Sequence, residues 1–479
     1  MPVIITTAWA KGVDGDWNTE SDWTEGVPLQ GGTALITVNG TYTVTSSQAN
    51  SVGNLEMQKK ATLAIDADTF DLKTGTGTGA LDGTITLGDG TSLDLGADST
   101  SPTFDNNGAI NIIGSDPTSI LISGNVTLNG KGKINLENDA SQIVSDGSAA
   151  ILTNSNTISG VGTIGDSHLT FVNAAKGVID ANNSDSPLVI DAASFTNYGL
   201  MEATKGAELG LEGEISQTGN GRITVAAGST VASDNDGASI EGGAISTAKG
   251  SFFGALGGDM EVSTATPLKN AGMIESRNNV LTIVGSVKNS GTLYVDDTGV
   301  MTISGAVTGG TAQLDGGNIE FGGPSSAKVV FGQSGGASST LILDQPTEFK
   351  GTIAGMTNSA MQLIDLEDMP WTDHPSTNLE TKGKTLVLTV TDPVKNVTAV
   401  FKILAIGGGG ESGGGSSMAS DGSTLVYGFD GAAAVPSSVP LLVQSMASFA
   451  ESGGVAASGS GNLSDHHQSS ELLAAPHHG

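Results

Sequence analysis

Short runs in which apolar and small polar residues alternate recur along most of the chain. Residues 83–88 read Gly-Thr-Ile-Thr-Leu-Gly, and residues 91–96 read Thr-Ser-Leu-Asp-Leu-Gly. Alternation places every second side chain on one face of a strand, so Ile85 and Leu87 share a face that must be buried. Small residues at the ends of the runs allow the backbone to turn sharply. The pattern predicts an all-β protein built from short strands.

Turns that contain Asn and Gly recur at a regular spacing in the middle of the chain. Asn154 and Asn173 lie 19 positions apart, and so do Asn270 and Asn289. A period near twenty residues is typical of solenoids, in which each coil pairs its strands with the coils on either side. We therefore predict β-solenoid repeats over residues 61–335.

Residues 1–60 differ from the repeats because they hold three of the four tryptophans, Trp9, Trp17 and Trp23. An Asn-Gly pair separates two alternating runs at residues 33–45, which predicts a β-hairpin with a type I′ turn. The open end of a stack exposes strand edges and apolar side chains, so we expect this segment to form a cap. Stacking of the tryptophan rings on carbohydrate is the functional alternative.

Longer and more apolar strands follow the repeats, and a loop between two of them holds the fourth tryptophan, Trp371. We predict that residues 336–430 form a β module that closes the other end of the solenoid, with Trp371 as a capping or interaction residue. Residues 407–417 are almost entirely Gly and Ser, which predicts a flexible loop. Residues 431–479 are typical of a tail, with a short helix at 439–451 and disorder beyond it.

The chain has 479 residues, no cysteine and a formal net charge of −31, from 50 acidic and 19 basic residues. A surface this acidic repels phosphate backbones and anionic lipids, so we predict no nucleic-acid partner. No apolar run reaches the ~18 residues of a membrane-spanning helix, so we predict no membrane insertion. A long solenoid core does not depend on disulfides, so the lack of cysteine is compatible with an extracellular protein. The first residues do not resemble a signal peptide, and we expect any export signal elsewhere.

Four aspartates in two turns are the candidate metal ligands of the sequence. Asp14 and Asp16 lie in Asp-Gly-Asp-Trp-Asn, and Asp234 and Asp236 lie in Asp-Asn-Asp-Gly. Both turns resemble the start of a calcium-binding loop, but neither continues to the glutamate that completes one. We therefore predict solvated turns and no cofactor, with Ca²⁺ binding as the alternative.

Catalytic motifs are missing from the sequence. It has no cysteine for a thiol mechanism and no Gly-x-Ser-x-Gly elbow between a strand and a helix. Parallel β-helices also include polysaccharide lyases, which need carboxylates for Ca²⁺ and an Arg or Lys near the substrate. The two arginines, Arg222 and Arg277, each lie beside a turn without a local acidic cluster. We predict that the protein is not an enzyme, with a polysaccharide lyase or hydrolase as the alternative.

Several segments follow one another in an order that we associate with a known family. They are Gly160–Gly165, Phe171–Asn173, Gly177–Ala181, Phe195–Ala203, Ala227–Val231 and Ile240–Ile245. Together they resemble the β-strand-repeat proteins of proteobacteria, notably rhizobial ones, which are large secreted, adhesin-like proteins. The tryptophans with Gly26-Val27-Pro28 look like the opening of this family, and residues 349–355 with 364–366 look like its closing module. The tail segments 441–449 and 476–478 are similar to tails of members thought to leave by type I secretion.

The resemblance implies a right-handed parallel β-helix that is exported by type I secretion and acts outside the cell or on its surface. It also implies an uncleaved secretion signal within about residues 430–479. The Gly-rich segment 407–417 departs from the family pattern because it is longer.

We expect an extracellular structural protein that forms a surface layer, a filament or a biofilm matrix through end-to-end self-association of its solenoids. A monomeric adhesin that binds cell-surface or host polysaccharide is the first alternative. A polysaccharide-active enzyme on the same fold is the second.

Overall fold

A computed structural model describes residues 5–97, 101–332, 337–356, 361–382, 385–404 and 415–427. The chain is 60% strand and 2% helix, and its parallel coils stack into a β-solenoid of about 15 turns, which confirms the predicted fold class. The helices in the described ranges are three single 3₁₀ turns, Glu20–Asp22, Pro346–Glu348 and Trp371–Asp373. None of them is long and apolar enough to cross a membrane.

The first half of the described chain contains 23 strands. They are β1 (Thr6–Ala8), β2 (Gly15–Asp16), β3 (Thr33–Ile36), β4 (Tyr42–Ser46), β5 (Asn50–Met57), β6 (Ala61–Ile65), β7 (Thr69–Gly75), β8 (Thr84–Leu87), β9 (Ser92–Leu95), β10 (Thr103–Asn106), β11 (Ala109–Ile112), β12 (Thr118–Ile122), β13 (Asn125–Gly130), β14 (Lys133–Leu136), β15 (Ser141–Ser145), β16 (Ala150–Asn154), β17 (Thr157–Gly160), β18 (Gly162–Ile164), β19 (Leu169–Asn173), β20 (Val178–Ala181), β21 (Leu188–Ile190), β22 (Ser194–Asn197) and β23 (Leu200–Ala203).

Four strands of the second half have 11 or more residues and continue around the corners of a coil, and this half contains 20 strands in all. They are β24 (Glu208–Val225), β25 (Thr230–Thr247), β26 (Phe252–Ala255), β27 (Met260–Ser263), β28 (Leu268–Asn270), β29 (Met273–Arg277), β30 (Val280–Val284), β31 (Val287–Asn289), β32 (Thr292–Ile303), β33 (Val307–Thr308), β34 (Thr311–Phe321), β35 (Lys328–Phe331), β36 (Ser339–Leu343), β37 (Thr352–Ala354), β38 (Gln362–Leu366), β39 (Ser376–Lys382), β40 (Thr385–Asp392), β41 (Val397–Leu404), β42 (Gly415–Met418) and β43 (Thr424–Tyr427).

Each coil contributes strands to three parallel ladders, which we call A, B and C. Ladder A joins β1, β3, β5, the end of β7, β10, β13, β16, β19, β22, β24, β25, β27, β30, β32, β34, β36 and β38. Ladder B joins β2, β4, β6, β8, β11, β14, β17, β20, β23, β24, β25, β28, β31 and β33. Ladder C joins β5, β7, β9, β12, β15, β18, β21, β24, β25, β26, β29, β32, β34, β35 and β37. The long strands take part in more than one ladder because they pass through a corner.

The core is a set of apolar columns, since residues in register on successive coils stack on one another. In ladder B, the column with Ile85 continues through Ile110 and Ile134, and all three side chains are buried. Burial of a side chain of this size stabilises the fold by about 1.5–3 kcal/mol. The register of the longest column, in ladder A, is Leu152, Phe171, Phe195, Ile215, Ile240, Val262, Ile283, Ile303, Phe321, Leu343 and Leu366.

The corners between ladders need residues without a side chain. Gly160, at the end of β17, has φ +122°, and a Cβ there would lie 1.8 Å from the carbonyl oxygen of Leu136 in the coil before it. Only glycine allows the two coils to approach this closely.

The predicted hairpin at residues 33–45 is wrong. Strand β3 pairs in parallel with β1 and β5, whereas β4 pairs in parallel with β2 and β6. A type I′ turn needs positive φ at both central residues, and Gly40 has φ +150° but Asn39 is not among the positive-φ residues. The Asn-Gly pair is therefore a corner between two sides of one coil.

The ladders cross both predicted domain boundaries without interruption. Ladders A and B begin in the first coil, at β1 and β2, and both continue past residue 60. At the other end, β36 and β38 still pair in parallel beyond residue 335. The predicted tail at residues 431–479, with its helix, lies outside the described residues.

Apart from one isolated antiparallel bridge between Trp9 and Trp23, antiparallel pairing in the described chain occurs only near its end. Strand β41 joins ladder C in parallel with β37, and β40 and β39 then add to it in antiparallel orientation. Strand β43 pairs antiparallel with β38, and β42 pairs antiparallel with β43. Residues 407–414 of the predicted flexible loop lie outside the described part, whereas residues 415–417 belong to strand β42. This correction follows from backbone pairing with β43, which glycine and serine can make as other residues do.

Candidate functional site

The three N-terminal tryptophans fill the first coil. Their relative exposures are 2% for Trp9, 0% for Trp17 and 4% for Trp23. The ring of Trp23 packs edge-on against the rings of Trp9 and Trp17, with centroid distances of 5.1 and 4.9 Å. The ring of Trp17 also packs against Phe70 of the stack, at 4.9 Å. Burial suits the predicted capping role, and it leaves no ring face for the alternative of stacking on carbohydrate.

A short segment, residues 22–26, lies along the outer edge of β1. The amide of Ala10 donates to the carbonyl of Asp22 at 2.7 Å, and the amide of Thr24 donates to the carbonyl of Ala8 at 2.9 Å. The amide of Ala8 in turn donates to the hydroxyl of Thr24 at 3.0 Å. The edge of β1 at the N-terminal end of ladder A is therefore covered by the chain itself.

Trp371 lies at the opposite end of the stack and is half-buried in a 3₁₀ turn. Its amide donates to the carbonyl of Gly422 at 2.9 Å, which ties the turn to the segment that precedes β43. His374 ends the turn with φ +53°. The backbone of the turn is thus tied to the C-terminal end, the Trp371 side chain is less enclosed than those of the other three tryptophans, and its capping or interaction role stays a prediction.

The four candidate aspartates do not form a shared metal site in the described part of the chain. Asp14 accepts the amide of Thr43 at 2.7 Å, and Asp234 accepts the amide of Asn235 at 2.9 Å. Asp16 accepts the hydroxyl of Ser47 and the amide of Asn18, and the Ser47 hydrogen bond lowers the pKa of Asp16. These bonds hold turns in place. The side chain of Asp236 lies outside the described residues, and Ca²⁺ binding at the four positions stays a prediction.

The recurring asparagines were predicted in turns from the sequence, whereas the inward direction of their side chains was not predicted. Asn173 is fully buried and donates to the side-chain oxygen of Asn197 at 2.9 Å, and it accepts from Asn154 at 3.1 Å. A second row joins Asn270 to Asn289 at 2.8 Å. Each row satisfies buried polar groups from one coil to the next. The recurrence of Asn154, Asn173 and Asn197 at strand ends, 19 and 24 positions apart, was the available signal.

An acidic cluster lies at the C-terminal end of ladder A in the described residues. One carboxylate oxygen from each of Asp365, Glu367 and Asp421 lies within 4.8 Å of the other two. Strand β38 carries Asp365 and ends just before Glu367, and antiparallel β43 follows Asp421. Glu367 also lines a depression with Glu320, Asp344 and Asp368. The reversal of the chain thus brings several carboxylates to one corner.

The cluster retains protons at unusually high pH. Burial raises the pKa of Asp365 to about 6, with a contribution from the Asp421 charge and opposition from a hydrogen bond donated by Ser423. Partial burial of the Glu367 carboxyl, followed by the charges of Asp421 and Asp365, raises the pKa of Glu367 to about 8. Such a cluster can share protons, and its oxygen atoms are also of the kind that bind Ca²⁺.

Strand β39 is the most exposed strand in this region. It pairs with β40 from Ser376–Thr391 to Lys382–Thr385, and no described strand pairs with its other side. Six of its seven residues are exposed, and only Leu379 is partly buried. The C-terminal end of ladder C therefore has an open edge, in contrast to the covered edge of β1.

Comparison with known proteins finds no match. No family model, no curated protein and no solved structure is similar to this chain.

Because the acidic cluster holds protons in the folded state, we expect the C-terminal part of the solenoid to lose stability as the pH rises. The folded protein holds the Glu367 proton up to a pKa of about 8, whereas an ordinary glutamate releases it near 4.5. The unfolded chain thus binds fewer protons between these values, so the free energy of unfolding falls as the pH rises from about 4.5 through 8. We expect Glu367→Gln to remove much of this decline, so that thermal melting of the variant changes less with pH.

The matched control is Glu348→Gln, which changes an exposed glutamate in the 3₁₀ turn before Phe349. It should melt like the unsubstituted protein across the same pH range. Identical pH dependence in the Glu367→Gln variant and the unsubstituted protein would show that the cluster does not carry these protons.

Proposed function

We propose that the protein is a secreted, non-catalytic structural scaffold that self-associates through its C-terminal end to build an extracellular layer or matrix. The observation that supports this most directly is the difference between the two ends. Residues 22–26 cover the edge of β1, whereas β39 is open along its length in the described residues. An open strand edge is a template for pairing with another chain.

The acidic surface fits an assembly that responds to ions. A net charge of −31 opposes close packing of many copies at low salt, and divalent cations relieve such repulsion by bridging carboxylates. Stacked acidic residues occur on the outside of the coils, as where Asp71 lies in register with Asp94. Assembly should therefore be favoured by Ca²⁺ even without a dedicated calcium site.

One observation favours the catalytic alternative and deserves its own assay. Perturbed carboxyl groups cluster at functional sites, and a protonated Glu367 beside Asp365 has the form of an acid–base pair. A lyase mechanism also needs an Arg or Lys near the substrate. Arg277 is poorly suited to this role because it forms ion pairs with Glu275 and Asp296. Cleavage of acidic polysaccharides that is abolished by Glu367→Gln would favour an enzyme over the scaffold.

The scaffold proposal is tested with the intact chain by sedimentation velocity and negative-stain electron microscopy, with and without Ca²⁺. We expect the sedimentation coefficient to rise with protein concentration, and Ca²⁺ to extend the assembly. Monomers under every condition would contradict self-association. Monomers that bind a polysaccharide array would instead support the adhesin.

Export is tested by deleting residues 431–479 and locating the shortened chain. Its retention inside the cell would support export through the tail, and its normal secretion would contradict that route.

A further inference from the structure

The outer edge of β39 has features of an interface rather than of a protected edge. The strand has seven residues, whereas β42, the other outermost strand at this end, has four. Two of its side chains favour strands, Thr377 and Thr381, and it contains neither proline nor a bulge. Edges that avoid pairing are usually very short, interrupted, distorted or charged, and β39 carries two charged side chains of opposite sign, Glu380 and Lys382.

Charge also favours this end for contact between copies. Residues 376–404, which span β39 to β41, contain four lysines and two acidic residues. Residues 5–29 of the first coil contain one lysine and five acidic residues. In a chain with 50 acidic and 19 basic residues, residues 376–404 of two copies therefore meet without the repulsion between carboxylates that the first coil or the acidic cluster of ladder A would bring. The acidic N-terminal end attracts lysines, but residues 22–26 cover the edge of its β1 and oppose strand pairing there.

We propose that two copies of this chain join at their C-terminal ends by antiparallel pairing of their β39 strands. The two-fold axis of this contact passes through Leu379. This inference rests on the proposed self-association and specifies its first contact. The two three-stranded sheets β39–β41 become one continuous six-stranded sheet. Two-fold contacts of this kind are the commonest in soluble homo-oligomers.

The sequence of β39 is complementary to itself in this register. Leu379 lies opposite Leu379 of the second copy, and each Thr377 lies opposite a Thr381. On the other face, each Asn378 lies opposite a Glu380, and each Ser376 lies opposite a Lys382, so amide and hydroxyl groups meet charged groups. No two like charges are directly opposed, and such pairs are the ones that destabilise a sheet. Within one copy, Asn378 already donates to Glu380 at 3.4 Å, so this pair is chemically compatible.

The absence of cysteine from the chain gives a direct test by cross-linking. Directly opposed residues in antiparallel strands have Cβ atoms about 4.5–5.5 Å apart, within reach of a disulfide after a small adjustment. Leu379→Cys should therefore form a disulfide-linked dimer under mild oxidation. Asn378→Cys and Glu380→Cys should cross-link poorly alone, but they should form a mixed dimer when the two variants are combined. Both of these residues are exposed, so this pair also tests the register if Leu379→Cys perturbs packing.

Val394→Cys is the matched control, because Val394 is 71% exposed in the turn between β40 and β41 and lies outside the proposed contact. If cross-linking came only from random collisions, Val394→Cys would form dimers at least as fast as Leu379→Cys. Equal or faster cross-linking of Val394→Cys would overturn the proposal. Failure of both Leu379→Cys and the mixed pair to cross-link, in a protein that still assembles, would also overturn it. The proposed scaffold function would then stand with a different contact. Failure of the intact protein to assemble at all would contradict both.

Discussion

Replacing Trp17 with alanine should release the first coil from the stack. Trp17 is fully buried and packs against Trp23 and Phe70, so it links the N-terminal coil to the core beyond it. Removal of a buried tryptophan side chain costs about 3–5 kcal/mol, because apolar contacts are lost and a cavity remains. In a stack of coils the loss falls on the coil that holds the side chain and on its neighbour. We therefore expect local opening of residues 5–57 rather than collapse of the whole solenoid.

The measurement is hydrogen exchange followed peptide by peptide. Amides in β1 to β5 should lose protection in Trp17→Ala, whereas those in β24 to β34 should keep it. Trp371→Ala is the control, since Trp371 is only half-buried and lies at the other end of the stack. Unchanged protection in β1 to β5 would mean that the tryptophans do not hold the first coil in place.

Replacing Asn173 with alanine should weaken the middle of the solenoid. Its amide group donates to Asn197 and accepts from Asn154, and it also donates to the carbonyls of Gly177 and Leu200. Leaving such buried groups without a partner costs about 1–3 kcal/mol. The effect should appear as an earlier unfolding transition in denaturant, with faster hydrogen exchange in β16 to β23.

Asn107→Ala is the matched control for the asparagine row. Asn107 also lies in a turn between ladders A and B, but it is exposed, and its side chain donates to the half-buried side chain of Asp82. Exposed substitutions of this kind usually change stability by less than about 0.5 kcal/mol. Equal effects of the two substitutions would show that the buried row contributes no more than a surface turn.

The strands and their stacking could be predicted from sequence because both follow from local patterns. Alternation at residues such as Ile85 and Leu87 assigns the buried face, and the spacing of Asn154 and Asn173 assigns the length of a coil. The Asn39-Gly40 hairpin was wrong because a local turn signal competes with pairing between coils. Whether strands on either side of a turn pair with each other depends on contacts that a single turn does not encode.

The acidic cluster and the open edge could not be predicted because they depend on contacts between distant residues. Asp365 and Asp421 lie 56 positions apart, and they meet only because β43 reverses direction against β38. The exposure of β39 depends on the order in which β41 and β40 join ladder C. No periodicity in the sequence marks either event, since both occur once, after the repeats end.

Hydrogen exchange at two protein concentrations most directly tests whether copies of the protein join through β39. Pairing of β39 with a second copy engages backbone amides that are otherwise open to water. We predict that amides of residues 376–382 exchange more slowly in concentrated than in dilute solution, while those of β1 do not change. Equal exchange of residues 376–382 at both concentrations, in samples shown by sedimentation to differ in assembly, would contradict the account.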